Sequence, residues 1–376
     1  MLFVTGMQRS GTTLLEKLLT NHPQLSVLSQ PFPFLFIEAK RSFLSTIGRG
    51  DAPYPLGDLF LEDDYRVEQF SDHLGRYGFT REHLCVLFQA MADYSGQCTR
   101  FDDTEIEAAL DQLTPGDFME TVAALYRQLG HKPGAIHFGG KETICEEFLP
   151  YFLTRGGRCV VIIRDPRDML ASLNHGRGQL FGGQVKPTLF NLRQWRKSVA
   201  FVLHLQNHRG FSWVRYEDLV ANPIESLNRL ARMLDIDPFT EELFREGIKS
   251  QEGTVWAGNS SHVDRRSLDA SSVGEYRRLV PASVVSYTEA VCYPELRHLG
   301  YNVSLDWPDP AGVIAAFEDP YEIVRENLRG FFTDRRRTTE ELERVRLLST
   351  AGTASRGYFL FDGIAELLRE AVAKAR

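Results

Sequence analysis

Residues 1–15 read MLFVTGMQRSGTTLL. The apolar run Leu2-Phe3-Val4 predicts a short strand, and Thr5-Gly6-Met7-Gln8-Arg9-Ser10-Gly11-Thr12-Thr13 predicts a glycine-bounded turn. Leu14, Leu15, Leu18 and Leu19 then recur at helical spacing. Strand, turn and helix in this order aim backbone N–H groups and a helix N-terminus at one point, which is a cradle for an anion. The stretch departs at one position from the nucleotide loop GxxxxGK[ST]: Thr12 stands where a lysine would reach the β- and γ-phosphates of a nucleoside triphosphate. A phosphate cradle without that lysine points to a different anion.

Working outward, the first helix should stop by Pro23, and Leu25-Ser26-Val27-Leu28 alternates as a second strand, ended by Gln30-Pro31-Phe32-Pro33. Phe34, Ile37, Arg41 and Leu44 mark a helix over residues 34–47 that carries Glu38. From about 48 to 132 the pattern is helical and irregular, so this region reads as a helical insertion. It is either a place for acceptor recognition or a layer that covers the sheet. Strand character resumes at Ala135-Ile136-His137-Phe138, ahead of Gly139-Gly140-Lys141-Glu142. Cys159-Val160-Val161-Ile162-Ile163 is a continuous apolar run of the kind buried at the centre of a parallel sheet, and it leads into Arg164-Asp165-Pro166-Arg167-Asp168.

A last strand is expected over Ser212 to Tyr216, a mobile glycine-rich loop over 175–187, and polar loop over 251–280. Residues 306–376 read as a helical C-terminal extension to a domain of 1–305, with Thr338 to Glu341 as a capping box. Strands separated by helices predict an α/β fold with a mainly parallel sheet, whose ligands bind at the C-terminal strand ends. Three of those ends carry polar clusters: Gly6 to Thr13, Gly140 to Glu142, and Arg164 to Asp168.

The 376 residues suffice for a substantial core, and 43% apolar with 25% charged residues is ordinary for a soluble globular protein. A formal net charge of −7 argues against a nucleic-acid partner, so an anion site has to be local. Cys85, Cys98, Cys145, Cys159 and Cys292 form no CxxC pair, which predicts reduced thiols in a cytoplasm rather than disulfides or a zinc site. The opening apolar run is too short for a signal peptide, and no window approaches the roughly 18 uncharged apolar residues of a membrane span.

Arg9-Ser10-Gly11-Thr12-Thr13-Leu14-Leu15 after a strand, then Arg164-Asp165-Pro166-Arg167-Asp168 with Ser172, then Arg215-Tyr216-Glu217-Asp218-Leu219-Val220-Ala221-Asn222-Pro223, together resemble the sulfotransferases that use 3′-phosphoadenosine 5′-phosphosulfate, PAPS. Trp256-Ala257-Gly258-Asn259-Ser260-Ser261, followed by Ser271-Ser272-Val273-Gly274-Glu275-Tyr276-Arg277, is similar to the nucleotide loop of the branch that includes the tyrosylprotein enzymes. The resemblance runs from residue 1 to about 300; it does not cover the insertion closely, and the tail not at all. It implies a P-loop NTPase-like sheet and transfer of a sulfuryl group from PAPS to a hydroxyl or amine. The acceptor it implies is a small molecule, glycan or peptide, with PAP released and no metal required.

The same resemblance implies residue roles. Backbone amides of Arg9 to Thr13, Gly11 among them, and the hydroxyls of Ser10, Thr12 and Thr13 would hold the 5′-phosphosulfate. Arg164 and Ser172 would bind the 3′-phosphate, a charge-assisted contact that suits a guanidinium. Tyr216, Ser260 and Ser261 would make further nucleotide contacts. Lys141 stands in the place of the lysine that faces the bridging oxygen of the leaving phosphate. The proton acceptor is open: the histidine of the soluble aryl and steroid enzymes corresponds to Thr143 here, and the glutamate of the tyrosylprotein branch falls near Ser29-Gln30. Glu142, Glu38 and His175 are the remaining candidates. Two other functions stay in view. One is a P-loop kinase using ATP, against which Thr12 counts; the other is a nucleotide-binding protein without catalysis, motivated by the missing usual bases.

Overall fold

A computed structural model of the chain describes residues 1–48, 67–94, 96–175, 185–251, 253–256, 258, 268, 270–304, 309–322, 335–350 and 356–374. The N-terminal part runs β1 Leu2–Thr5, α1 Thr12–Thr20, β2 Leu25–Ser29 and α2 Pro33–Thr46, then α3 Val67–Leu74, α4 Arg81–Met91, α5 Asp103–Asp111 and α6 Phe118–Leu129. It continues with β3 His137–Lys141, α7 Leu149–Thr154, β4 Arg158–Ile163 and α8 Pro166–Leu170, then α9 Thr188–Leu205, β5 Phe211–Arg215, α10 Tyr216–Ala221 and α11 Pro223–Leu234. The remaining helices are α12 Tyr276–Leu279, α13 Ala282–His298, α14 Pro310–Ala316, α15 Arg335–Ser349, α16 Arg356–Phe359 and α17 Ile364–Ala373.

The five strands form one parallel sheet in the order β2-β3-β1-β4-β5, so the α/β expectation holds. β1 lies at the centre, and its side chains alternate between two buried faces. Leu2 and Val4 join Leu14, Leu15, Leu18 and Leu19 of α1 and Leu227 and Leu230 of α11 in one cluster. Phe3 points the other way, stacked on Phe36 of α2 at 5.4 Å and edge-on to Phe152 of α7 at 4.9 Å. Burial on both faces is why β1 and β4 read as unbroken apolar runs.

β3 starts two residues later than the composition of 135–138 suggests and runs through Lys141. Its glycines belong inside the strand because a Cβ on Gly139 would strike the Leu2 carbonyl oxygen and one on Gly140 would strike the Tyr126 ring. The structure also corrects the capping box expected at Thr338 to Glu341: α15 already begins at Arg335, so Thr338 lies inside the helix.

The described residues fall into two compact units, one within 1–163 and 205–269, the other within 164–204 and 270–376. The first holds the sheet. In the second, helices following residue 306 pack with α9 and α13. Buried ion pairs join these elements: Arg193 Nε donates to Glu341 at 2.8 Å, Arg196 Nη1 donates to Glu341 at 2.7 Å, and Arg344 pairs with Glu295.

Candidate functional site

The turn after β1 has a backbone geometry suited to an anion. Arg9 adopts φ 66° and Gly11 adopts φ 95°, both left-handed, which turns successive N–H groups inward. Only a glycine fits at Gly11, because a Cβ there would lie 2.5 Å from Cδ2 of the Tyr216 ring. Among the described residues, no side chain caps α1 and no acidic residue occupies its first turn, which leaves its N-terminal amides, aimed along the helix axis, available to an anion. Ser10 is fully buried, and among the described residues its Oγ finds no hydrogen-bond partner. A buried hydroxyl of this kind at a helix N-terminus is suited to a phosphate or sulfate oxygen. Thr12 is buried beside it, and Thr13 is half-buried.

β3 ends in a buried lysine. Lys141 pairs in register with Val4 of β1 and with Ser29 of β2, one residue short of the point where the β1 turn begins. Its side chain is 1% exposed, and its ammonium donates to Gln30 Oε1 at 3.2 Å. A buried ammonium acts through little solvent, so its charge is felt strongly across the strand ends.

The carboxylate candidates part company. Glu142 is buried, and its Oε1 accepts the Phe32 N–H at 2.9 Å at the start of α2. Burial pushes its carboxyl up to about 8, with the Phe32 amide, Lys141 and Lys40 pulling the other way. It acts as the anchor of the α2 N-terminus. Glu38, farther along α2, keeps a third of its side chain in solvent, and its Oε1 lies 3.9 Å from His83 Nε2 of α4. His175, in the second unit, ends a π-helical turn over Ala171–His175, and its Nε2 meets the Tyr321 hydroxyl at 2.6 Å. Burial lowers its pKa.

In the second unit, Arg164 is buried, and its Nη2 donates to the Ser272 carbonyl at 2.7 Å, while Trp195 Nε1 donates to the Arg164 carbonyl at 2.8 Å. The Asp168 carboxylate accepts the N–H groups of Gly274 at 2.6 Å and Tyr276 at 2.9 Å. The segment 271–277 is therefore held against the Arg164 to Asp168 turn, two motifs that lie more than a hundred residues apart in sequence. Arg167 is fixed by Asp165 at 2.7 Å and Glu289 at 2.5 Å, which makes it part of the scaffold. Ser172 is half-buried on the π-helical turn. Ser260 and Ser261, and most of the loop over 175–187, lie outside the described residues.

Four polar residues near the cradle were assigned no role from sequence. Gln30 is one. Glu16 of α1 is fully buried, and burial raises its carboxyl against the pull of Lys17 and Lys141. Helical spacing gave no signal for it, since position 16 falls off the face that Leu14, Leu15, Leu18 and Leu19 share. Lys40 and Glu147 are the other two and form a buried ion pair, and Lys40 also donates to the Ile144 carbonyl at 2.7 Å.

Comparison with known proteins adds to this geometry. Residues 2–103 match the model of the "Sulfotransferase family", and residues 143–252 match that of the "Sulfotransferase domain". Nodulation protein NoeE of Sinorhizobium fredii is 25% identical over 355 residues, covering 88% of this chain and 72% of that protein. Among solved structures, the sulfotransferase domain from the curacin biosynthetic pathway matches 80% of this chain and 98% of its own, at 20% identity and a TM-score of 0.46. Mouse sulfotransferase SULT7A1 complexed with PAP matches 78% of this chain and 83% of its own, at 12% identity and a TM-score of 0.39.

Proposed function

The chain belongs to the PAPS-dependent sulfotransferases, and we propose that it transfers the sulfuryl group through the β1–α1 cradle and Lys141 to a hydroxyl or amine of its acceptor. The observation that carries the assignment of residues is the open, uncapped N-terminus of α1 with the unpartnered Ser10 hydroxyl, set beside a buried lysine on the adjacent strand. When bound, PAPS supplies an activated sulfuryl group. The amides of Arg9 to Thr13 and the hydroxyls of Ser10, Thr12 and Thr13 hold its 5′ end, and Lys141 offers positive charge where negative charge develops on the leaving oxygen. Arg164 and Ser172 take the 3′-phosphate, and Tyr216, packed on Gly11, stiffens the cradle from behind. These roles call for no metal.

Of the two candidate carboxylates Glu142 and Glu38, Glu38 is the solvent-open one, and we assign it as proton acceptor for the acceptor nucleophile, with His83 beside it. The insertion within 48–132 supports the acceptor side. Its segment 97–99 is tied to the end of β2: Thr99 N donates to the Ser29 carbonyl at 2.8 Å and Gln97 Nε2 donates to the Pro31 carbonyl at 2.9 Å. Charge balance supports an acceptor that is not a dense polyanion. Five free thiols favour a reducing compartment such as the cytoplasm. Among the described residues, no helix is long and apolar enough to cross a membrane.

Incubation with sulfur-labelled PAPS and a panel of alcohols, phenols, amines and glycans tests the assignment. Transfer to at least one class, with PAP binding by calorimetry, is the expected result. Failure to bind either PAPS or PAP refutes it, and a magnesium-dependent response to ATP in their place would restore the kinase reading.

A further inference from the structure

Gln30 is the residue on which the geometry around Lys141 converges. It stands immediately after β2 with φ 48°, a left-handed conformation that a side chain other than glycine rarely takes. Four hydrogen bonds hold it there. Its N–H donates to the Lys141 carbonyl at 2.7 Å, and its own carbonyl accepts the Cys98 N–H at 3.3 Å. Its side-chain Oε1 accepts from Lys141 Nζ at 3.2 Å and from Thr143 Oγ1 at 3.3 Å. An ammonium only donates, so the oxygen of the amide and not its nitrogen has to face Lys141.

Resting on the reading of Lys141 as the charge-stabilising donor, we propose that Gln30 is its positioning residue. A lysine carries its charge on a flexible four-carbon stem and needs an external contact to hold one geometry. An amide oxygen provides that contact and leaves the ammonium charge intact. A carboxylate at the same place would pin the lysine equally well but would cancel its field, where a buried cation matters most. The amide therefore fixes the cation's position while leaving it available for the leaving group.

The test compares the full-length protein with Gln30→Met, Gln30→Glu, Lys141→Met and the double variant Gln30→Met/Lys141→Met. Methionine keeps the length and the backbone cost at position 30 but removes the acceptor. Gln30→Met should lower kcat roughly tenfold to a hundredfold while PAP affinity stays within about threefold. Because Gln30 acts through Lys141, the double variant should be no slower than Lys141→Met alone. Gln30→Glu should be slow at neutral pH and recover as the new carboxylate is protonated. An unchanged kcat in Gln30→Met, or additive losses in the double variant, overturns the proposal. A Gln30→Glu variant faster than the parent, with activity rising as the carboxylate ionises, also overturns it by making position 30 a proton acceptor. If Gln30→Met fails to fold by circular dichroism, the pH profile of Gln30→Glu decides alone. Absence of PAP binding and transfer in the unsubstituted protein would instead remove the reading of Lys141 on which the proposal rests.

Discussion

Gly11→Ala should damage the cradle and the fold together, by an amount the geometry specifies. The backbone at Gly11 has φ 95°, where an alanine costs about 1–2 kcal/mol. The new Cβ would lie 2.5 Å from Tyr216 Cδ2, 3.1 Å from Cε2 and 3.2 Å from Ile162 Cδ1. Tyr216 is buried in the cluster of α1 and α11, so its ring has no open space to enter, and overpacking adds about 1–3 kcal/mol. The expected destabilisation is about 2–5 kcal/mol, read as a fall in the urea midpoint by circular dichroism. PAP affinity should fall with it, since the displaced ring pushes on the amides of the turn. Tyr216→Val ends at Cγ and removes the atoms that collide. Combining it with Gly11→Ala should recover the overpacking part, giving a coupling of about 1–3 kcal/mol, while the backbone part remains. An unchanged midpoint in Gly11→Ala, or strict additivity in the double variant, would refute the account of why glycine stands there.

Three further expectations follow from the carboxylates. Glu142 is raised by burial to about 8 from 4.5, so the folded state favours its neutral form; that stability is complete below pH 4.5 and is lost as pH rises towards 8. Glu142→Gln keeps an acceptor for the Phe32 N–H, so it should match the parent at pH 4 and exceed it by about 4–5 kcal/mol above pH 8, as read from urea midpoints against pH. Glu341 behaves in the opposite sense: burial would raise its carboxyl, but Arg196 and Arg193 outweigh it and hold the group at about 2. Its contribution is present above pH 4.5 and is lost as pH falls towards 2, so Glu341→Gln should cost about 3 kcal/mol at pH 7 and converge with the parent in acid. Glu38→Gln should lower kcat about a hundredfold with PAP binding unchanged, measured by transfer assay and calorimetry; equal kcat would remove Glu38 as proton acceptor.

Local patterns carried much of this protein. The strand, turn and helix of residues 1–15 are legible because apolar period and glycine placement report hydrogen bonding among near neighbours, and so are the apolar run ending at Ile163 and the parallel sheet. The strand order was not legible, since β3 returns beside β1 after more than a hundred residues of intervening chain. Nor was the start of β3, which depends on how closely Leu2 and Tyr126 press on two glycines. Sequence marked Lys141, Glu142 and Glu38 as chemically suitable but had no means of ranking them. Burial and partner choice set them in different surroundings, through contacts such as Phe32 to Glu142, 110 residues apart, and Lys141 to Gln30, 111 apart. A residue's type states what it is able to donate or accept. Which atom it meets, and how much water remains around it, depends on segments that only the folded chain brings together.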